Sequence, residues 1–576
     1  MFRKILSFAL LSLILFSCGA DRTREQKMAA MMNEIKSPFF ASSFNLQTLM
    51  DKSEIMKEGT IPFTYLEILS FFLESDVTGI DYGSNAHIVI GEGKSFTPGM
   101  YGFFKVGDQK KFKELIEKEA GAEIKEKEGY QYAIKEADHY CVVWKDDFAM
   151  ITDIPIDLAS LFSGGGKEGE KKVSANIRVL KAAEEGEIDA DWEEFFSNTS
   201  DMAMRFNGAG FYNYMSVMSP DKDELEELKE LYEGVNTDMF VNFTNGAVEI
   251  EMLTDLSEEL KEEMSFLPEN GVSDEMLQFG KSENPIVVGA YSLEPSGAME
   301  YIEKMSPDEY NEMIEAAEEG GISIDDLKMS TSGEFVFMIE EVITKTELID
   351  FGYGESFETQ SNEPTFAIVL GLKDNAYIET ELKKSMQEQM GEEQDRGVED
   401  LRDMEVWQNG VMKVGDALIY LGEDFLFASN DTAWANLIAA GEGKTVANPD
   451  GILNSKALGM FVNLADIQSK ATDIDVPAEY TELMDNLTMT ANVEGGKITM
   501  NMTDKSQNAL KVIVKAIGDG LSMMETQMNP EMEAELEEAF LETQKSFEEL
   551  ENTLDEIPEV EELEDALNDA FDELNK

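Results

Sequence analysis

Residues 238–255 read DMFVNFTNGAVEIEMLTD, two runs of alternating apolar and polar residues joined at Asn245-Gly246. A period of two is the pattern of a strand whose side chains point to opposite faces, and an Asn-Gly pair between two such runs supplies the positive φ angles of a tight hairpin. Residues 486–504, NLTMTANVEGGKITMNMTD, follow the same plan, with Gly495-Gly496 between the runs. Two hairpins of one pattern predict antiparallel sheet and suggest an internal repeat.

Working outward, four further landmarks pair in the same order. Residues 38–46 (PFFASSFNL) match 285–293 (PIVVGAYSL), each a strand leading into a helix. Residues 85–92 (NAHIVIGE) match 333–340 (GEFVFMIE), both alternating or continuously apolar and therefore strand-like. Residues 97–106 (TPGMYGFFKV), followed by a helix over 111–120, match 363–372 (EPTFAIVLGL) and the helix after it. Residues 129–153 match 406–430, two or three short strands joined by polar turns at Glu136-Ala137-Asp138 and Gly415-Asp416. The expectation is two homologous units, 33–270 and 280–525. Strands arriving as antiparallel hairpins interrupted by single helices make each unit α+β rather than doubly wound α/β. Ser219-Pro220-Asp221 and Ser306-Pro307-Asp308 place a capping Ser, a Pro at the first helical position and an acid against the helix dipole. Residues 163–172 (SGGGKEGEKK) read as a surface loop.

Charge and composition bound the function. With 118 acidic residues against 46 basic ones, the formal net charge is -72, which excludes nucleic acid as a partner because a duplex binder needs a clustered cationic excess. Hydrophobic residues at 43% and aromatics at 9% are enough for a folded core.

The N-terminus gives an address. Arg3 and Lys4 precede an apolar stretch from Ile5 to Phe16, too short to span a bilayer, and Ser17-Cys18 follows. Residues 1–17 read as a lipoprotein signal peptide, Cys18 as the acylated residue and 18–32 as a tether; the alternative is an ordinary signal peptide with an incidental Cys. Gly19-Ala20-Asp21 has no Asp directly beside Cys18, which by resemblance to enterobacterial sorting rules points to the outer membrane with the face left open. If Cys18 carries lipid, Cys141 is the remaining thiol and no intramolecular disulfide forms.

At the other end, residues 531–576 hold 19 acids and two lysines, yet Leu536, Phe540, Phe547, Leu550 and Leu554, then Val560, Leu563, Leu567, Phe571 and Leu574, recur at helical spacing around Pro558. Residues 526–576 are therefore expected to be an acidic amphipathic helical tail, which either packs on the second unit or takes a protein partner.

The Ser17-Cys18 lipobox, the strand-helix opening around Phe39 to Leu49, the Thr78-Gly79-Ile80-Asp81 turn into NAHIVIGE, and strand pairs separated by a Lys- and Glu-rich helix resemble the DUF4836 lipoproteins of Bacteroidetes. The resemblance covers most of residues 1–525. It implies an envelope lipoprotein and, as that family carries no established activity, transfers no catalytic residue.

Residues that carry chemistry by type complete no motif. Residues 91–95 (GEGKS) and 441–445 (GEGKT) lack the first glycine of a phosphate loop, where Ile88 and Ile438 stand. His139 and Cys141 lie two apart on a strand and share a face, a spacing that fits a nucleophile pair but reads more simply as core. His87 has no sequence neighbour to complete a site, and no G-x-S-x-G elbow occurs. Trp144 and Trp407 fall on the repeated strand pair and read as core; with Trp192 and Trp434 they are the only tryptophans, few for a sugar cleft. Asp221-Lys222-Asp223 begins a helix, and Asp146-Asp147 and Glu340-Glu341 read as turn residues on a solvated face, without calcium-loop spacing. Methionines, including Met28 to Met32, read as core filler. No catalytic, cofactor or metal residue is assigned. Two readings remain: a non-catalytic envelope lipoprotein that binds a protein, peptide or lipidic ligand, and a hydrolase with its site in the cleft between the units.

Overall fold

The computed structural model describes residues 22–57, 78–92, 98–119, 121–135, 140–153, 166–218, 229, 235–319, 322–350, 356–384, 410–414, 417–470 and 483–527. The fold is α+β, antiparallel sheet with many helices, as the hairpin pattern predicts. It falls into two compact units, one drawn from Met1–Lys36, Asn45–Glu193 and Ile513–Lys576, the other from Ser37–Phe44 and Glu194–Val512. Strands are numbered along the chain, and β1 (Phe40–Phe44) belongs to the second unit.

In the first unit, β2 (Ala86–Gly91), β3 (Gly99–Lys105), β4 (Lys125–Lys127), β5 (Tyr130–Lys135), β6 (Tyr140–Lys145) and β7 (Phe148–Asp153) pair antiparallel in the order β2-β3-β7-β6-β5-β4. Its helices include α1 (Arg24–Met32), α2 (Leu46–Ser53), α3 (Gln109–Glu114) and α4 (Gly166–Glu185). One sheet face packs Ala133, Val142, Trp144 and Ala149 on Phe112 of α3. The Trp144 ring is fully enclosed and stands edge-on to Phe112 at 5.3 Å. Alternation turns Cys141 and Thr152 to the opposite face, where Asn176 of α4 donates to Thr152 Oγ1 at 2.8 Å and lies 3.6 Å from Cys141 Sγ.

Two expectations change here. The Gly- and Lys-rich stretch is helical from Gly166 onward, with residues 163–165 outside the described residues. Tertiary contact outweighs its weak propensity: Glu170 accepts a hydrogen bond from Tyr132 Oη at 3.0 Å, and Lys172 Nζ lies 5.1 Å from the Tyr101 ring centroid. Residues 24–32, expected as part of a tether over 18–32, are likewise helical. A capping box at Thr23 and Gln26 starts α1, whose Met28, Met31 and Met32 are buried, with α4 packed alongside.

The second unit holds β8 (Met202–Asn207), β9 (Val235–Thr244), β10 (Ala247–Leu256), β11 (Val287–Ser292), β12 (Thr331–Asp350), β13 (Ser356–Leu372), β14 (Val411–Val414), β15 (Ala417–Leu421), β16 (Phe425–Ser429), β17 (Leu458–Asn463), β18 (Met484–Asn492) and β19 (Gly495–Met502). With β1 they form one antiparallel sheet in the order β1-β8-β9-β10-β19-β18-β17-β11-β12-β13-β16-β15-β14. The run β10-β9-β8-β1 recurs as β19-β18-β17-β11, and the first unit's β2-β3-β7-β6-β5 recurs as β12-β13-β16-β15-β14. β10 and β19 pair with each other, Ile250 opposite Ile498, so neither presents a bare edge. This pairing explains why the compact units do not follow the boundaries 33–270 and 280–525: β1 and β8 to β10 share a sheet with the second half of the chain.

The first hairpin turns at Asn245-Gly246 as read, with Gly246 at φ 75°. In the second, the turn is residues 493–494 rather than Gly495-Gly496. Gly495 instead admits β10: it has φ 132°, and a Cβ there would lie 2.0 Å from the Met252 carbonyl oxygen. Glu340-Glu341 is not a turn either. Both lie within β12 at a register shift, Glu340 is buried, and Glu341 pairs with Lys281 at 2.9 Å.

The helices of this unit include α5 (Pro295–Met305), α6 (Pro307–Glu319), α7 (Ile324–Ser330) and α8 (Thr432–Ala439). α6 begins at the Pro after Ser306 as expected. α8 is capped by Asp431, which accepts from the backbone N–H of Ala433 (2.7 Å) and Trp434 (3.2 Å) and pairs with Lys281 at 2.7 Å. That cap delivers Trp434 to the centre of the second core, where it is fully buried beside Phe427 and its Nε1 donates to the Phe279 carbonyl at 2.8 Å. Cys18 and the expected signal, His139, Trp407, Ser219 to Asp223, the expected turns at 136–138 and 415–416, and the expected tail from 528 lie outside the described residues. Among the described residues, no helix is long and apolar enough to cross a membrane.

Candidate functional site

The feature that ordinary packing does not explain lies on β11, β12 and β13. Alternation splits β12 into two sets. Val336 and Met338 point to the core around Trp434 and are fully buried, together with Val288, Ala367 and Val369 of the neighbouring strands. Phe335, Phe337 and Ile339 point the other way and are only partly buried. Register places Tyr291 and Leu370 on either side of Phe335, Gly289 and Ile368 on either side of Phe337, and Phe366 opposite Ile339. The second face of this sheet is therefore a field of aromatic and branched side chains, where an antiparallel sheet meeting solvent is normally polar.

Glycines shape that field at two positions. A Cβ at Gly289 would fall 1.9 Å from Cε1 of Phe337, so Gly289 lets the Phe337 ring lie across β11, within 6.2 Å of the Tyr291 ring. Gly333 has φ 90°, and a Cβ there would be 1.8 Å from the Leu293 carbonyl oxygen, which fixes the start of β12 against the strand end that leads into α5.

Three helices roof the face. Glu294 caps α5 by accepting from the backbone N–H of Ser296 (3.2 Å) and Gly297 (2.7 Å), with Pro295 at the first helical position. Ala298, Met299 and Ile302 then face the sheet, while Glu300, Glu303 and Lys304 are exposed. α6 contributes Met313, and α7 contributes Ile324 and Leu327. Between roof and sheet is a cavity of about 910 Å³ whose wall is almost wholly apolar; its few polar residues include Lys328 and Thr331. Protein interiors rarely leave voids larger than a water, whereas ligand pockets run to about 300–1,000 Å³. Ile302 and Phe366, 36% and 39% exposed, mark its opening.

None of the residues weighed in the sequence as nucleophile, acid-base or metal candidates lines this cavity, although the repeat landmarks 285–293, 333–340 and 363–372 do. Cys141 is fully buried in β6, and burial pushes its thiol up to about 12, the reverse of an activated nucleophile. It is predicted to resist Ellman's reagent in the folded protein and to react only in denaturant; rapid reaction under native conditions would refute this. His87 is buried in β2, and desolvation, with the Arg24 charge second, holds its imidazole down at about 3. The unfolded chain, with His87 near 6.5, takes up a proton that the folded chain refuses. The stability His87 confers is thus complete above about pH 6.5 and is lost as the pH falls toward 3. His87→Phe is predicted to lose less stability between pH 7 and pH 4.5 than the parent, as measured by urea unfolding at both values.

The second phosphate-loop-like segment is structural. Lys444 and Gly280 exchange backbone hydrogen bonds of 2.8 and 2.9 Å, and a Cβ at Gly443 would approach the Gln278 carbonyl oxygen to 2.4 Å. Gly93 to Ser95 of the first lie outside the described residues. Asp146-Asp147 forms the β6–β7 turn, with Asp146 at φ 51°. Among the described residues, no three His, Cys, Asp or Glu side chains gather as metal ligands. The signal that would have found the cavity is in residues 333–340, where both parities of the strand are apolar.

No family model matches the chain, and no curated protein matches it. Among solved structures, the chain is similar to crystal form IV of TP0453 at 12% identity, with 39% of this chain and 83% of that one covered and a TM-score of 0.23. Crystal form III (12% identity, 40% and 80% covered, TM-score 0.24) and crystal form I (8%, 42% and 81%, 0.24) give similar values. Likeness at this level carries no argument about fold or function.

Proposed function

We propose that the protein is a non-catalytic, lipid-anchored envelope protein whose second unit holds the hydrocarbon chain of a lipidic ligand between the β11-β12-β13 face and α5 to α7. The apolar cavity of about 910 Å³ carries this reading. A peptide placed there would leave its N–H and C=O groups without partners, whereas each methylene of an acyl chain gains about 0.8 kcal/mol. Lys328, whose ammonium also pairs with Asp325 at 3.5 Å, is the cation nearest an acidic head group. A hydrolase would need a nucleophile or an acid-base pair at the ligand, and the lining offers no such pair among the described residues.

The wider setting is part of the same proposal. Acylation of Cys18, the outer-membrane address and kinship to the DUF4836 lipoproteins rest on residues 1–21 and on the segments that carry the resemblance. Tandem duplication is supported by the recurring strand order and by Ile250 facing Ile498, its counterpart in the repeat. The acidic tail over 526–576 is assigned either packing on the second unit or a protein partner. Crosslinking of the full chain beside a chain ending at 525 separates these, since partners lost on truncation make the tail the binding element.

Filling the cavity tests the ligand. Ala298→Trp places an indole where the chain would lie, and displacement of a fluorescent fatty acid is expected to weaken at least tenfold while circular dichroism stays unchanged. Undiminished binding by this variant would refute the site.

A further inference from the structure

The first unit contains a second pocket, of opposite character. It has a volume of about 500 Å³ and is lined by Arg22, Arg24, Lys27 and Lys105 against Glu25 and Asp147, a local excess of two positive charges in a chain of net charge -72. Two of these cations are already committed. Arg22 donates to the carbonyls of Ala182 (3.3 Å), Ala183 (3.3 Å) and Gly186 (2.6 Å) at the end of α4, and Lys105 pairs with Asp81 at 2.8 Å.

Arg24 is not committed. Its Nε, Nη1 and Nη2 are all shielded from solvent and make no hydrogen bond among the described residues, and its guanidinium carbon lies 5.7 Å from the centroid of the Phe148 ring. A guanidinium stays charged and carries five donors in a planar fork, so leaving it desolvated and unpaired is strongly unfavourable. Burial depresses its pKa accordingly, with Glu25, Asp147 and Asp81 acting in the opposite sense. The α1 terminus does not compete for a ligand here, since Thr23 and Gln26 already close it as a capping box. Because Arg24 has no hydrogen bond to give up, turning its head into the pocket exchanges none for as many as a ligand offers.

We propose that this pocket binds the phosphate group of a ligand, its oxygens taken by the Arg24 fork and by the Lys27 ammonium. The phosphate belongs either to a soluble phosphoester or to a lipid head group, and the experiment distinguishes the two. The full chain carrying Cys18→Ser, so that no acyl chain contributes, is titrated with inorganic phosphate and followed by thermal unfolding against sodium chloride of equal ionic strength. It is also floated with phosphatidylcholine vesicles with and without phosphatidic acid.

Phosphate is expected to raise Tm beyond the chloride control, and Arg24→Met is expected to raise Tm in its absence and to abolish the phosphate response. Lys27→Met is expected to weaken that response at least threefold. A response in the phosphate arm assigns a soluble ligand, and one confined to phosphatidic acid vesicles and lost in Arg24→Met assigns a head group; both support the site. A response unchanged in Arg24→Met would overturn it, as would no response in either arm. Should Arg24→Met fail to fold, an unchanged response in Lys27→Met would overturn it equally.

Discussion

Replacing Trp434 with alanine is expected to remove about 3–5 kcal/mol from the stability of the second unit, the largest effect of any single truncation in that core. Trp434 is fully buried where α8 meets β16, against Phe427 at 6.0 Å. Its removal leaves a cavity and also strips the Phe279 carbonyl of the Nε1–H donor at 2.8 Å. Val336, Met338, Ala367 and Val369, which share that core, sit behind the ligand-facing residues of β12 and β13, so the loss reaches the site as well. Urea unfolding with hydrogen exchange over β12, β13 and β16 measures it. A loss under about 1 kcal/mol would mean that Trp434 is not the centre of this core.

Gly333→Val should be comparably damaging through the backbone. Gly333 sits at φ 90°, where a β-branched residue is strained, and a Cβ would lie 1.8 Å from the Leu293 carbonyl oxygen. Strain and overpacking together are expected to reach about 3–5 kcal/mol. Because Leu293 and Pro295 lead into α5, the roof should separate from the sheet and the variant should lose acyl binding even where it stays folded. Gly441→Val is a useful contrast, since Gly441 also has positive φ (72°) but a Cβ there meets nothing within 4 Å. It should lose only about 1–3 kcal/mol and keep its ligand. Equal losses in the two variants would indicate strain alone, with no role for the Leu293 contact.

Much of the fold was readable because strands announce themselves locally. The alternation in residues 238–255, the Asn245-Gly246 turn and the capping Ser306-Pro307 depend on a few neighbouring residues, and the structure has β9, β10 and α6 where they were read. Readings failed where a distant contact decided the outcome. Gly495-Gly496 resembles a turn in isolation, but Gly495 is needed because β10 passes so close, a fact carried by Met252 some 240 residues away. Residues 166–172 look like a loop until Tyr132 and Tyr101 are brought beside them.

The candidate site was less legible still, for a physical reason. An acyl cavity needs no distinctive residue types, only apolar ones left unfilled, and a sequence shows which side chains are apolar but not which lack neighbours. Cys141 and His87, by contrast, bear chemistry by type and are inert by burial. Arg24 is illegible for the converse reason, since nothing in its sequence neighbourhood shows that its three nitrogens are enclosed.

The most direct test is native mass spectrometry of the Cys18→Ser chain purified from cells without detergent exchange, beside Phe337→Asp. Phe337 lies at the centre of the apolar face, and a carboxylate there is incompatible with a hydrocarbon chain. The account predicts a parent species carrying one acyl lipid that is released on gentle activation, and a Phe337→Asp species that carries none while remaining folded. A parent protein free of lipid that also fails to take up a fluorescent fatty acid, or a Phe337→Asp variant that retains its lipid, would contradict it.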